Sequence, residues 1–264
     1  MFKKYVSFFL CVMCFFNYFG QGSEMIVTDR PSQTEVPTLV SGDYLQLEVG
    51  FQREYSNGDM YLQYPSILWK YSFCKSFELR FVTEYLGYKK IDLNQVVANE
   101  EGFSPLTFGF KTQILKQNGL IPNLSITSHF TLPYIGNDFF RPNKVVPRFR
   151  IVSSHALNER FDIFYNFGMQ WGDEFKVPVY MYTFLIAYSL TNKLSMFTEL
   201  YGYFKQNIKP DNRFDTGFSY LLDDNHQLDL SGGVGISSNY PSNYISIGYS
   251  FRFKTKKSRN EEFK

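Results

Sequence analysis

Histidine and cysteine are scarce in this chain, three of each in 264 residues. Cys11 and Cys14 both fall within the first twenty residues, which leaves Cys74 alone, and a lone cysteine closes no intramolecular disulfide. His129, His155 and His226 have no His, Asp or Glu partner at metal-ligand spacing, so neither a structural metal site nor any other cofactor is expected. Net charge is lacking too: 27 Lys and Arg stand against 25 Asp and Glu, and nothing in that balance resembles the basic footprint of a nucleic-acid binder. Long hydrophobic runs are missing from the body. The longest uncharged stretch there, Val177 to Asn192, contains Pro178 and falls short of the ~20 apolar residues that a membrane-crossing helix needs. No helical period of useful length follows residue 20.

What is present in quantity is aromatic side chain, with 29 Phe and 20 Tyr. That content, within a chain that is 44% hydrophobic, excludes a solvated disordered coil. Residues 1–20 form a signal peptide: Lys3 and Lys4 give the positive start, Tyr5 to Phe19 the short apolar stretch, and Gly20 to Ser23 the small and polar residues of a cleavage site. Cys11 and Cys14 lack the preceding small residue of a lipid-attachment site. Loss of the signal removes Lys3 and Lys4 and leaves bases and acids equal in number.

From residue 43 onward the dominant period is two. Leu45, Leu47, Val49 and Phe51 alternate with Gln46, Glu48, Gly50 and Gln52. Phe161, Ile163, Tyr165, Phe167 and Met169 alternate with Asp162, Asn166, Gly168 and Gln170. Such spacing puts every apolar side chain on one sheet face. Strands are expected near 43–55, 61–72, 76–87, 105–115, 121–132, 147–156, 160–171, 179–190, 193–204, 212–222, 226–236 and 243–253. Twelve is an even number, and each strand is close to the length that a tilted strand needs to cross hydrocarbon. Short connections at 73–75, 116–120, 157–159, 191–192 and 223–225 alternate with mostly longer ones, notably 87–104 and 133–146. Aromatic rings recur at the ends of the apolar stripe, as Phe77 and Tyr85, Phe161 and Trp171, Tyr180 and Tyr188, Tyr249 and Phe253; this suits headgroup level on both sides of a bilayer. The expected fold is therefore all-β, a single antiparallel transmembrane barrel of 12 strands over 43–253 in the outer membrane of a Gram-negative bacterium. Short turns lie in the periplasm, longer loops lie outside, and a charged periplasmic tail spans 254–264.

With the apolar face in lipid, the polar face lines the lumen. It offers Glu48, Lys70, Glu78, Arg80, Glu84, Lys111, Arg148, Arg150, Asp162, Glu199, Asp215, Asp229 and Arg252, with His129 among the hydroxyls of Ser125, Thr127 and Thr131. Mixed signs in a narrow barrel form either a stiffening salt-bridge network or a solute path in which Arg80, Arg148 and Arg150 meet anionic groups. Met181, Leu185, Ala187, Phe197, Tyr201 and Tyr203 interrupt this polar wall; they serve either as a landing site for a hydrophobic or aromatic solute or as packing for an inserted plug. The segment 21–42 is either a periplasmic leader or that plug, with Asp29, Arg30 and Glu35 pairing to wall charges.

Catalysis is not expected. A nucleophilic site needs a hydroxyl or thiol next to a histidine held by a third polar group. Ser153 and His155 share a face, but near a turn with no evident oxyanion donor.

Several stretches resemble the outer-membrane transporter family labelled "putative MetA-pathway of phenol degradation". They are Val27-Thr28-Asp29-Arg30-Pro31-Ser32-Gln33-Thr34-Glu35, Leu45-Gln46-Leu47-Glu48-Val49-Gly50-Phe51, Phe77-Glu78-Leu79-Arg80, Leu106-Thr107-Phe108-Gly109-Phe110-Lys111, Gly119-Leu120-Ile121-Pro122, Glu199-Leu200-Tyr201-Gly202, Gln227-Leu228-Asp229-Leu230-Ser231 and Ile247-Gly248-Tyr249-Ser250-Phe251-Arg252-Phe253. The likeness covers nearly all of the chain after the signal. It implies an outer-membrane barrel that passes a small solute, with outer-membrane lipid and the barrel-insertion machinery as partners, and it does not specify the solute. A closed structural or surface-interaction barrel is the competing reading.

Overall fold

A computed structural model describes residues 25–255 except 43, 94, 173–176 and 238–241. The signal peptide at 1–20, the first residues of the leader and all but the first two residues of the tail lie outside the described residues. Thirteen strands follow in chain order: β1 (Tyr44–Ser56), β2 (Asp59–Cys74), β3 (Phe77–Asp92), β4 (Gln95–Phe103), β5 (Thr107–Leu115), β6 (Asn123–Thr131), β7 (Val146–Ala156), β8 (Phe161–Gln170), β9 (Val179–Ser189), β10 (Leu194–Phe204), β11 (Asp211–Asp223), β12 (His226–Gly235) and β13 (Ser242–Lys254). No helix is present among the described residues.

Twelve of these strands close on themselves. From β5 to β13 each strand pairs with the next, β13 pairs with β1, β1 with β2, β2 with β3, and the lower part of β3 with β5. All pairings are antiparallel, so the closed wall has no free edge, as a membrane span requires. β4 stands outside the ring and pairs only with Tyr85–Asp92 of β3. The stretch 87–104, expected as an open loop, is thus a hairpin that continues β3 beyond the wall. Val96, Val97 and the alternation of Lys89, Lys90 and Asp92 gave no period-two stripe to mark it. At the same end the β1–β2 connection is only Asn57 and Gly58, whose φ of 52° and 89° are both positive, as a two-residue type I′ hairpin turn demands.

Burial is inverted relative to a water-soluble domain. Lys70, Glu78, Lys111 and Asp215 are fully buried, whereas Phe167, Phe184, Leu230 and Ile247 stand exposed on the outer surface. A soluble sheet protein hides its apolar face; this one hides its charges and presents Phe, Ile and Leu outward, which only hydrocarbon accommodates. Rings cluster at both ends of the outer surface. Phe161 lies 4.6 Å from Tyr188 and Phe73 lies 5.1 Å from Phe77 at the short-turn end. Tyr180 lies 5.5 Å from Phe204 and Phe149 lies 6.1 Å from Trp171 at the other.

Ile247 sits halfway along β13, opposite Phe51 and Leu230. Ile247→Arg is expected to destabilise the barrel by about 2–4 kcal/mol, the cost of a cation at bilayer mid-depth. Urea unfolding in lipid vesicles reads this directly; a change under about 0.5 kcal/mol, typical of a water-facing site, would refute the orientation.

Candidate functional site: the lumen and its inserted leader

Three cations of the wall, Lys70, Arg80 and Arg148, share one level. At one level round the barrel the lumen-facing residues are Lys70 on β2, Arg80 on β3, Gly109 on β5, His129 on β6, Arg148 on β7 and Gln170 on β8, each opposite the next across the ladder. Lys70 and Arg80 are direct neighbours, an arrangement that repels unless something anionic lies between them. Lys111 lies one level down, opposite Glu78.

Asp29 supplies that anion. Its carboxylate lies 3.2 Å from Lys70 Nζ, 2.7 Å from Arg80 Nη2 and 3.2 Å from Lys111 Nζ. Val36 N–H donates to it at 2.8 Å. Glu48, held by Lys70 at 2.9 Å, accepts the backbone N–H of Asp29 and of Arg30, both at 3.0 Å. Glu35 sits within reach of Arg80 and Lys111, each at 3.7 Å, and of Arg150 at 3.4 Å. Burial by itself would raise the Asp29 pKa, but Lys111, Lys70 and Arg80 outweigh it and hold this carboxyl well below its ordinary value. For Glu35 the burial penalty is likewise overcome, by Arg80, Arg150 and Lys111, and its pKa is lowered.

The rest of the leader is fastened all round the wall. Arg30 crosses to the opposite side, where it meets Asp229 at 2.9 Å and Ser246 Oγ at 2.9 Å. Its guanidinium lies over Gly50 and Gly248, a directly opposed pair on β1 and β13; a Cβ on either would overlap it. Gln33 N–H donates to Glu199 at 2.8 Å, and Thr34 Oγ1 contacts both Glu199 and Thr183. Arg150 donates to Gln33 O at 3.0 Å, Asn166 to Glu35 O at 3.2 Å and Ser125 to Pro37 O at 2.6 Å. Val40 N–H donates to Glu78 at 2.8 Å. Residues 25–41 therefore lie inside the barrel and bridge its walls.

The remaining sequence-derived site residues fall elsewhere. Glu84 accepts from Ser66 at 2.8 Å. Arg252 stacks on the Tyr44 ring at 4.4 Å and donates to Asn225 at 3.0 Å, and it and Asp162 sit near the short-turn end. His129 and Arg148 are on the lumen side with His129 Nδ1 and Arg148 Nε unpartnered. Three groups escaped the sequence reading: the Arg213 link to Glu54 at 2.7 Å and Asp211 at 2.9 Å, the Tyr244 hydroxyl on Asp215, and Thr34. The glycine pair Gly50 and Gly248 was the one available signal, since it marks where something must approach the wall closely. On the long-loop side of the leader lies a cavity of about 290 Å³, bounded by Arg30 to Gln33 below and by Gln52, Glu54, Tyr201, Tyr203, Arg213 and Tyr244 at its sides.

A serine–histidine site is not assembled. Ser153 and His155 lie on the lipid-facing side of β7, where His155 Nε2 bonds Leu120 O at 3.0 Å and its ring stacks on Tyr165. No group of three or more His, Cys, Asp or Glu able to hold a metal occurs among the described residues.

A closed twelve-strand wall with lipid-facing aromatics outside and charges inside defines an outer-membrane β-barrel. The chain matches the family described as "Putative MetA-pathway of phenol degradation" over residues 28–253 and belongs to it. Among solved structures it is similar to the COG4313 outer membrane channel from Pseudomonas putida F1, at 14% identity and a TM-score of 0.65, over 89% of this chain and 100% of that one. It is also similar to the KdgM porin, at 14% identity and a TM-score of 0.53, over 78% of this chain and 99% of that one. At such identities the likeness establishes the fold. No curated protein matches the chain.

Two outcomes follow for the docked leader. Asp29→Asn strips the shared counter-ion from buried Lys70, Arg80 and Lys111 and is expected to weaken docking by about 3–5 kcal/mol, seen as faster proteolysis of residues 25–41; an unchanged cleavage rate would refute the role. Both leader carboxyls have lowered pKa values, so docking is favoured above the ordinary carboxylate pKa of about 4 and declines as pH falls through the docked value. The cleavage difference between the parent chain and Asp29→Asn should therefore stay constant from pH 8 to pH 5 and shrink only in stronger acid.

Proposed function

We propose that this barrel passes a small solute across the outer membrane and that the leader is the gate of its lumen. The observation that carries the reading is the leader itself. Residues 25–41 bridge opposite walls, from Asp29 at Lys70, Arg80 and Lys111 to Arg30 at Asp229, while the cavity above them stays open to polar and aromatic side chains. A solute that enters from the long-loop side meets Tyr201, Tyr203 and Tyr244 before it meets the leader. This suits a small solute with an apolar or aromatic part. Of the described histidines, His155 faces lipid, His129 stands among arginines and His226 pairs with Asp223 at a short turn.

The ion-pair network also suits a sealed barrel whose interior serves stability and whose loops meet partners. Single-channel conductance separates the two readings, measured on the refolded chain after signal removal and on one lacking residues 23–42. Current steps only in the shortened form are expected. Steps in both would refute the gate. Silence in both, with heat-modifiable gel mobility showing folded barrels, would refute a path through the lumen and favour the sealed barrel or a lateral route.

A further inference from the structure

The lumen cations around the leader are not equally well paired. Asp29 serves Lys70, Arg80 and Lys111, and Arg30 and Arg213 each have a carboxylate at 2.9 Å or less. Beyond Gly109 the level of Lys70 and Arg80 continues through His129 and Arg148, and Arg150 lies one level below on the same strand as Arg148. Among the described residues Arg148 makes no ion pair, and three buried nitrogens here lack a hydrogen-bond partner: His129 Nδ1, Arg148 Nε and Arg150 Nε. Two carboxylates are within electrostatic range of Arg148: Glu84, which accepts from Ser66 at 2.8 Å, and Glu35 of the leader, which also acts on His129. Glu35 is shared among Arg80, Lys111 and Arg150.

A buried guanidinium without a counter-ion is costly unless an anion joins it, and Arg presents a planar fork suited to a carboxylate. The surface next to this cluster is of the opposite kind. Arg150 lies opposite Gly168, Gly168 opposite Met181, and Met181 opposite Tyr203. Arg150 Cγ and Met181 Cγ both cover the bare backbone of Gly168, so cation and apolar wall are continuous. Tyr203 is within electrostatic range of Arg148 and lines the cavity above the leader, beside Tyr201 at 6.2 Å in an edge-to-face arrangement.

We propose that His129, Arg148 and Arg150 form a site for the carboxylate of a small amphipathic acid whose apolar body lies in the adjoining cavity against Tyr201 and Tyr203. The acid gives Arg148 the ion pair that Glu35 already gives Arg150. Arg150 is also bonded to the leader at Gln33 O and Glu35, so the site adjoins the gate beside the cavity that Tyr201 and Tyr203 line. The site rests on the reading of the barrel as a solute path, and it deepens that reading by naming the solute's chemistry.

Titration calorimetry of the refolded protein in nanodiscs tests the site, with benzoate as ligand and benzyl alcohol and chloride as controls at constant ionic strength. Benzoate is expected to bind saturably, benzyl alcohol at least tenfold more weakly, and chloride to compete poorly. Arg148→Gln should weaken benzoate by about tenfold or more, the order of a charge-assisted pair, while Arg148→Lys keeps part of the affinity. Tyr203→Ala should weaken benzoate but leave formate, which has no apolar body, unaffected. Heat-modifiable mobility confirms that each variant is folded. No benzoate binding, equal binding of the alcohol, displacement by equimolar chloride, or an unchanged affinity in Arg148→Gln would overturn the site. Benzoate flux into liposomes separates this from the underlying reading: binding without flux refutes passage and leaves the site, and flux without saturable binding refutes the site and leaves passage.

Discussion

The interior of this barrel depends on one carboxylate shared by three cations. Lys70 and Arg80 oppose each other on neighbouring strands and Lys111 stands one level below, all of them out of bulk water. Coulomb repulsion between such neighbours, added to the cost of desolvating each, would oppose closure of the wall if nothing intervened. Asp29 lies among them at 2.7 to 3.2 Å. The leader therefore joins Glu48 and Glu78 of the wall as counter-charge to these cations, and wall and leader form one electrostatic unit although nothing in the strand ladder joins them.

That dependence explains other local choices. A segment crossing a narrow lumen needs room, and the opposed glycines Gly50 and Gly248 provide it where the Arg30 guanidinium lies flat against the wall. Its backbone polar groups need partners away from water. Those partners are the side chains of Glu48, Glu78, Ser125, Arg150, Asn166 and Glu199, drawn from strands right round the barrel. A polar lumen and an inserted leader are thus two halves of one hydrogen-bonding scheme, and the apolar residues that the leader cannot satisfy collect on β9 and β10.

The strands were legible because alternation is a local signal and a membrane enforces it strictly. Phe161 to Gln170 and Leu45 to Gln52 each declare which side is lipid, and the twelve wall strands lie within a few residues of where the pattern puts them. The 87–104 segment was not legible. β4 pairs as a strand with the upper part of β3 alone, is otherwise held by Asn137 of the 133–146 loop, and carries no apolar stripe, so neither periodicity nor hydrophobicity marks it. The lumen charges were legible as a face and not as a network. Glu48 and Arg148 have the same standing in the sequence, yet one is bound by Lys70 and two backbone amides and the other makes no ion pair among the described residues.

By itself the sequence determined the lipid-facing stripe, the number of wall strands and which side chains face the lumen, because period two fixes the facing of each residue whatever its distant neighbours do. Only the tertiary structure decided that Asp29 serves Lys70, Arg80 and Lys111, that Arg30 reaches Asp229 some two hundred residues away, and that Arg148 has no such partner. Pairings of that kind depend on the stagger at which the sheet closes and on the level where the leader enters. Both are properties of the closed ring of strands, and no single stretch of the chain carries them.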